Sequence, residues 1–161
     1  MSKIEIDGVI AEYQQAGDGP NLLLLHSLLT DMSVFDRVLP KLRERFRVTR
    51  LNLPGYGQSQ PRPLASVADY ADHLNSVFDK LHLPPETHVF GNGFGAFAAL
   101  VFAIRHGARF SRLLLADVVA AFPEPAPAGV SFRGHAAFAR RAGRAMIAGS
   151  SSPSRLGAHP P

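Results

Sequence analysis

At 161 residues the chain has the length of a single domain with its own core. It contains no cysteine, which excludes a disulfide framework, a thiolate metal site and a thiol nucleophile. The formal net charge of +4 would suggest nucleic acid or membrane, but the basic excess is local: after Glu124 there are no acids, only Arg133, Arg140, Arg141, Arg144 and Arg155.

The N-terminal segment 1–7 carries acids and lacks the long apolar stretch of a secretion signal. No apolar run is long enough to cross a bilayer. The expectation is a soluble, cytoplasmic protein with no nucleic-acid or membrane partner. Residues 10–16 read as an early strand, ended by the turn Gly17-Asp18-Gly19-Pro20. Leu22-Leu23-Leu24-Leu25 is a continuous apolar run, as in a strand covered on both faces. Phe35, Val38, Leu39, Leu42 and Phe46 recur at helical spacing, which predicts a helix over residues 33–45. Residues 46–53 return to strand, with Val48 and Leu51 facing inward.

Ser66-Val67-Ala68-Asp69 has the form of a capping box with serine at the N-cap. Val67, Tyr70, Ala71, Leu74, Val77, Phe78 and Leu81 then share one helical face. The period puts Asp69 and Asp72 on a solvated side, and His73 and His82 on or beside a surface helix. Residues 88–91 predict a strand and 94–106 a helix, with His106 near its C-terminal dipole. Leu113-Leu114-Leu115-Ala116 is the last clear strand. Such alternation predicts an α/β fold over residues 1–125, built on a mostly parallel, doubly wound sheet.

Residues 126–161 differ in kind, being made largely of Ala, Gly, Pro, Ser and Arg. The change predicts a boundary near 123–128 and a tail that is flexible or out of frame, with a short helix near 136–148 and a linker-like 149–154.

The most informative run is Val89-Phe90-Gly91-Asn92-Gly93-Phe94-Gly95, an apolar strand entering a tight turn and then an apolar helix. This is the layout of the G-x-S-x-G nucleophile elbow, with Gly93 where serine would stand. Two other loops also lie where strands end, the ligand-binding side of an open α/β sheet. They are His26-Ser27-Leu28-Leu29-Thr30-Asp31 and Asn52-Leu53-Pro54-Gly55-Tyr56-Gly57-Gln58-Ser59.

In this order the three motifs resemble the α/β-hydrolase superfamily. The first is similar to its H-G-x oxyanion loop, with Ser27 in the glycine slot. The second is similar to D-x-P-G-x-G-x-S, with Asn52 in the aspartate slot. With Phe35-Asp36, the first most resembles the 3-oxoadipate enol-lactonase-like branch and related carboxylic-ester hydrolases. The resemblance covers residues 9–122, about the first half of such a domain. It implies a C-terminally truncated sheet that tends to self-associate or needs a partner.

The resemblance also implies a small ester or lactone substrate and no cofactor. The oxyanion hole would be the backbone N–H groups of Leu28 and Phe94, each such donor worth roughly 3–4 kcal/mol in an intact enzyme. Gly93 takes the nucleophile position. The family's usual acid and histidine follow later strands, beyond the resembling part. Asp117, directly after 113–116, is a stand-in acid or a plain turn-capping aspartate. His26 is expected to order neighbouring backbone, and His135 and His159 fall in the tail. No histidine or carboxylate cluster has metal-ligand spacing. Glycine at 93 relieves backbone strain of about 1–3 kcal/mol while removing the attacking oxygen. The expected result is an inactive or strongly impaired hydrolase.

Two other readings use the same residues. Gly91-x-Gly93-x-x-Ala96 fits the dinucleotide fingerprint, with Asp117 at the end of the next strand as the ribose-binding acid, and would make NAD or NADP the ligand. Against it, two strand–helix units precede the motif, and the His26 and Pro54-Gly55 loops are left unexplained. A non-catalytic ligand-binding relative on the hydrolase scaffold is the other.

Overall fold

A computed structural model describes residues 1–117 and the pair Met146–Ile147. The chain starts with a hairpin: Asp7 and Gly8 both have positive φ, 52° and 81°, the requirement of a two-residue primed turn. It joins β1 (Ser2–Ile6) to β2 (Val9–Ala16), with Ile6 opposite Val9. β2 is the expected early strand. β1 was not expected, although Asp7-Gly8 is its sequence signal.

The remaining strands are β3 (Asn21–Leu25), β4 (Arg47–Leu51), β5 (His88–Asn92), β6 (Arg112–Ala116) and β7 (Met146–Ile147). They form one sheet in the order β1-β2-β4-β3-β5-β6-β7. The β1–β2 and β2–β4 pairings are antiparallel and the others parallel, so the expected mostly parallel sheet is present. The helices are α1 (Leu39–Leu42), α2 (Val67–Lys80) and α3 (Phe94–His106).

The helix expected over 33–45 is two shorter pieces, a 3-10 turn at Met32–Phe35 and the single turn α1. Pro40 lies in the first turn of α1; lacking an N–H and restricting the residue before it, it stops a ladder from running through from Ser33. α2 follows expectation. Ser66 Oγ accepts the Asp69 N–H at 3.3 Å, and Asp69 Oδ2 accepts the Ser66 N–H at 2.8 Å.

Both faces of the sheet are covered. Leu23 and Leu25 of β3 pack with Leu74, Val77 and Phe78 of α2 and with Phe102 of α3. The alternate residue Leu24 joins Val48 and Phe35 on the other face. Full burial of each large side chain is worth roughly 1.5–3 kcal/mol, which makes the central strands the anchor of the fold.

His73 lies on α2 as expected, but on its inner side, being only 1% exposed. α2 packs on β1, whose hairpin turn brings Asp7 Oδ2 to 3.4 Å from His73 Nδ1. Without β1 in the expected sheet, nothing would have covered that side of α2. Asp72 is exposed as expected but paired, receiving Arg105 at 3.0–3.1 Å and facing His106 Nε2 at 2.9 Å. The expected boundary at 123–128, the linker at 149–154, and His135 and His159 lie outside the described residues. Within 136–148 the two described residues are strand rather than helix, pairing with Leu114 and Leu115 of β6.

Candidate active site

β5 ends at Asn92 and α3 begins at Phe94, leaving Gly93 as the hinge. Its φ of 54° and ψ of −117° are a combination that costs a side-chain-bearing residue about 1–3 kcal/mol. The Gly93 N–H donates to Ala116 O at 3.0 Å and its carbonyl accepts the Phe97 N–H at 3.1 Å, so the turn is tied to β6 and to the first turn of α3.

The three glycines of the turn are held for different reasons. A Cβ on Gly91 would lie 2.5 Å from Ala96 Cα, and one on Gly95 would lie 2.4 Å from His26 O and 2.5 Å from Leu25 O. Both collisions are with backbone. The three atoms nearest to a Cβ on Gly93 would all belong to Ser27, led by Oγ at 2.1 Å and Cβ at 2.9 Å.

The loop that supplies Ser27 is rigidly placed. His26 is fully buried. Its Nδ1–H donates to Ser27 O at 2.7 Å, and its Nε2 accepts the Leu53 N–H at 3.0 Å. Since a carbonyl can only accept and an N–H only donate, these two bonds fix the neutral imidazole tautomer. Burial pushes the His26 pKa below 6.5, against the pull of the Ser27 carbonyl. With both ring nitrogens engaged, His26 orders backbone, as expected, and has no lone pair for base chemistry. Thr30 Oγ1 also donates to Ser27 O, at 2.8 Å. The Ser27 Oγ accepts the Phe94 N–H at 3.4 Å, and Tyr70 stacks edge-on against the Phe94 ring. The Leu28 N–H makes no hydrogen bond with the described residues. Its side chain is half exposed, and Leu29 beside it is nearly fully exposed at φ 59°.

Behind this loop, Asn52 organises a buried cradle. Its Oδ1 accepts the Met32 N–H at 2.7 Å, and its Nδ2 donates to Glu12 Oε2 at 2.7 Å. Glu12 Oε2 also accepts the Gln58 N–H at 2.9 Å. Ser59 Oγ accepts the Glu12 N–H at 2.9 Å and donates to Asn52 O at 2.8 Å. An aspartate at 52 would oppose the Glu12 carboxylate without a donor, so asparagine in that slot is matched to its partner. Arg50, also buried, closes the far side through Met32 O at 2.9 Å and Gln14 Oε1 at 2.8 Å. Glu12 and Arg50 were missed as site residues; they sit on neighbouring strands, and no local motif links them to residue 52.

Asp117 follows β6 directly, with φ 51° and an exposed side chain that makes no hydrogen bond or ion pair with the described residues. Its neighbour Ala116 receives the Gly93 N–H, which places Asp117 close to the elbow in the sheet. Among the described residues no group of three or more His, Cys, Asp or Glu could hold a metal. No helix among them is long and apolar enough to cross a membrane.

A family model described as the alpha/beta hydrolase fold matches residues 20–153. The chain belongs to the alpha/beta hydrolase fold family. Among curated relatives it is 34% identical over 107 residues to a probable oxidoreductase EphD of Mycobacterium tuberculosis, covering 63% of this chain and 18% of that protein. It is 32% identical over 101 residues to the pimeloyl-[acyl-carrier protein] methyl ester esterase of Aeromonas hydrophila, covering 63% of this chain and 39% of that esterase. A solved alpha/beta hydrolase fold protein from Burkholderia ambifaria superposes with a TM-score of 0.70 at 27% identity, over 78% of this chain and 47% of the other. The chain thus spans less than half the length of each of these proteins. The loop after β3 lies against both the β5–α3 turn, through Ser27 and Phe94, and the loop after β4, through His26 and Leu53.

Proposed function

We propose that this chain carries the oxyanion-side half of a site for carboxylic esters or lactones, and that the acyl-enzyme route is closed in it. The observation that carries this reading is Gly93: it has the elbow's backbone, at φ 54° and ψ −117°, but no oxygen to attack a carbonyl. The similarity to a methyl ester esterase supports the substrate class. The buried and doubly bonded His26 supports the lack of a base within the three loops. What remains is binding and oxyanion stabilisation by the Phe94 and Leu28 N–H groups, with Asp117 directly after the Ala116 carbonyl that takes the Gly93 N–H. Neither a metal nor a dinucleotide enters this reading. In the test, the purified chain is incubated with a fluorophosphonate and weighed intact. No adduct is expected at any serine. A stoichiometric adduct would contradict the reading, and its position would name the nucleophile.

A further inference from the structure

The loop after β3 runs into the turns around α1, and this one stretch exposes four aliphatic side chains. Leu28, Leu29, Val34 and Val38 are 49%, 96%, 44% and 47% exposed. Leu29 is also held at φ 59°, a left-handed conformation that residues with a Cβ seldom take. Packing among the described residues repays neither its exposure nor its backbone, which points to an apolar surface outside the chain. Further along, Phe35, Leu39, Leu42 and Phe46 seat the stretch on the sheet beside Leu24 and Val48. One position ahead of each stands a member of a second stripe, Val34, Val38, Lys41 and Arg45, which is exposed throughout.

Arg37, Arg43 and Arg47 are exposed as well. Elsewhere Arg62, Arg105 and Arg109 are paired with Asp7, Asp72 and Asp79. None of the five cations between residues 37 and 47 has an ion pair among the described residues. Of the nearby acids, Asp31 accepts the Ser33 N–H at 2.8 Å and Asp36 pairs with the buried Arg50, which leaves Glu44 to oppose them. Unpaired cations interleaved with exposed aliphatic side chains suit an anionic lipid surface. They suit a protein partner less, because protein hot spots are built on Trp, Tyr and Arg, with Leu and Val under-represented. No aromatic ring is among the exposed large apolar side chains of the described residues.

We propose that the Leu28-Leu29 loop and the outer stripe of residues 34–45 form a docking face for an anionic lipid bilayer. Leu29 enters the headgroup region, and Arg37, Lys41 and Arg45 meet lipid phosphates. The expectation of no membrane partner rests on where the charge excess lies in the whole chain, and this local cluster does not show in it. Ser27, next to Leu28, accepts the Phe94 N–H, so the docked face lies beside the elbow. Docking of this kind needs no catalytic chemistry.

The test uses the full chain with vesicles of pure phosphatidylcholine and of an equal mixture with phosphatidylglycerol. In cosedimentation the chain should partition at least tenfold more strongly onto the anionic vesicles, since each cation near such a surface multiplies binding by roughly fivefold. Equal partition onto both, or onto neither, overturns the proposal. Arg133, Arg140, Arg141, Arg144 and Arg155 also attract anionic lipid, so the face is located by substitution. Leu29→Ser and the pair Arg37→Glu with Lys41→Glu should each weaken partition about tenfold or more. Variants that bind as the native chain does overturn the assignment. The chain has no tryptophan, so Leu29→Trp supplies a single reporter. Its emission should move to the blue on anionic vesicles alone, and an unmoved emission overturns the insertion of this loop. Sedimentation without vesicles should give a monomer. A dimer that Leu29→Ser dissolves would assign the face to a second copy and overturn the lipid reading.

Discussion

The Asn52 cradle and the Gly93 elbow lie on either side of the same loop, and they have kept different things. In the cradle, Glu12, Asn52 and Ser59 exchange five short hydrogen bonds with one another and with the Met32 and Gln58 amides, at 2.7–2.9 Å. At the elbow the backbone is equally well placed, but the side chain that would use it is absent. The Phe94 amide reaches only a long contact with Ser27. The cradle holds the loops after β3 and β4 at the sheet whether or not a reaction occurs there. The glycine at 93 admits a backbone conformation, φ 54° and ψ −117°, that strains other residues. On the proposed reading, scaffold and reactivity are carried by separate residues.

That separation can be broken from the scaffold side. Gly95→Ala forces a Cβ into the His26 and Leu25 carbonyl oxygens, neither of which can move without displacing β3. The loss of stability in chemical denaturation should lie at or above the upper end of the roughly 1–3 kcal/mol typical of overpacking. Little change in midpoint would mean that the close packing of α3 on β3 is not required.

Asn52→Asp comes next in size. It keeps an acceptor for the Met32 N–H but removes the donor to Glu12, leaving two buried carboxylates in contact. The cost should be about 2–4 kcal/mol at neutral pH. Glu12→Gln in the same background supplies a donor again and should recover part of it. A variant as stable as the native chain would show that asparagine is not matched to Glu12.

The smallest effect is that of pH. Burial lowers the pKa of both His26 and His73, in the latter case against the opposing pull of Asp7. The unfolded chain therefore binds more protons than the folded one between the depressed native values and the ordinary 6.5. In that window stability rises with pH. The denaturation midpoint should be full above about pH 7 and fall as pH drops below the ordinary histidine value near 6.5. His73→Leu should flatten part of the fall. A profile level down to pH 5 would contradict the buried, neutral assignment of both rings.

Much of the arrangement was legible in the chain itself. The capping box at Ser66, the apolar stripe of α2 and the run from β5 into α3 are local patterns, and their residues settle them without help from distant neighbours. What escaped detection depends on contacts remote in sequence. β1 has a clear turn signal at Asp7-Gly8, yet its role is to cover His73, 66 positions further on. Pro40 splits the expected helix because one missing N–H outweighs a favourable apolar period. Ser27 in the glycine slot and Gly93 in the serine slot are each visible alone. That a Cβ at 93 would meet Ser27 appears only when β3 and β5 are brought side by side.

The central claim is that this hydrolase elbow keeps its shape without a nucleophile. Rapid mixing of the native chain with p-nitrophenyl acetate tests it most directly. The account predicts no burst and steady release no faster than buffer alone. A burst approaching one p-nitrophenolate per chain would contradict it, because only an attacking side chain forming an acyl-enzyme produces that stoichiometry.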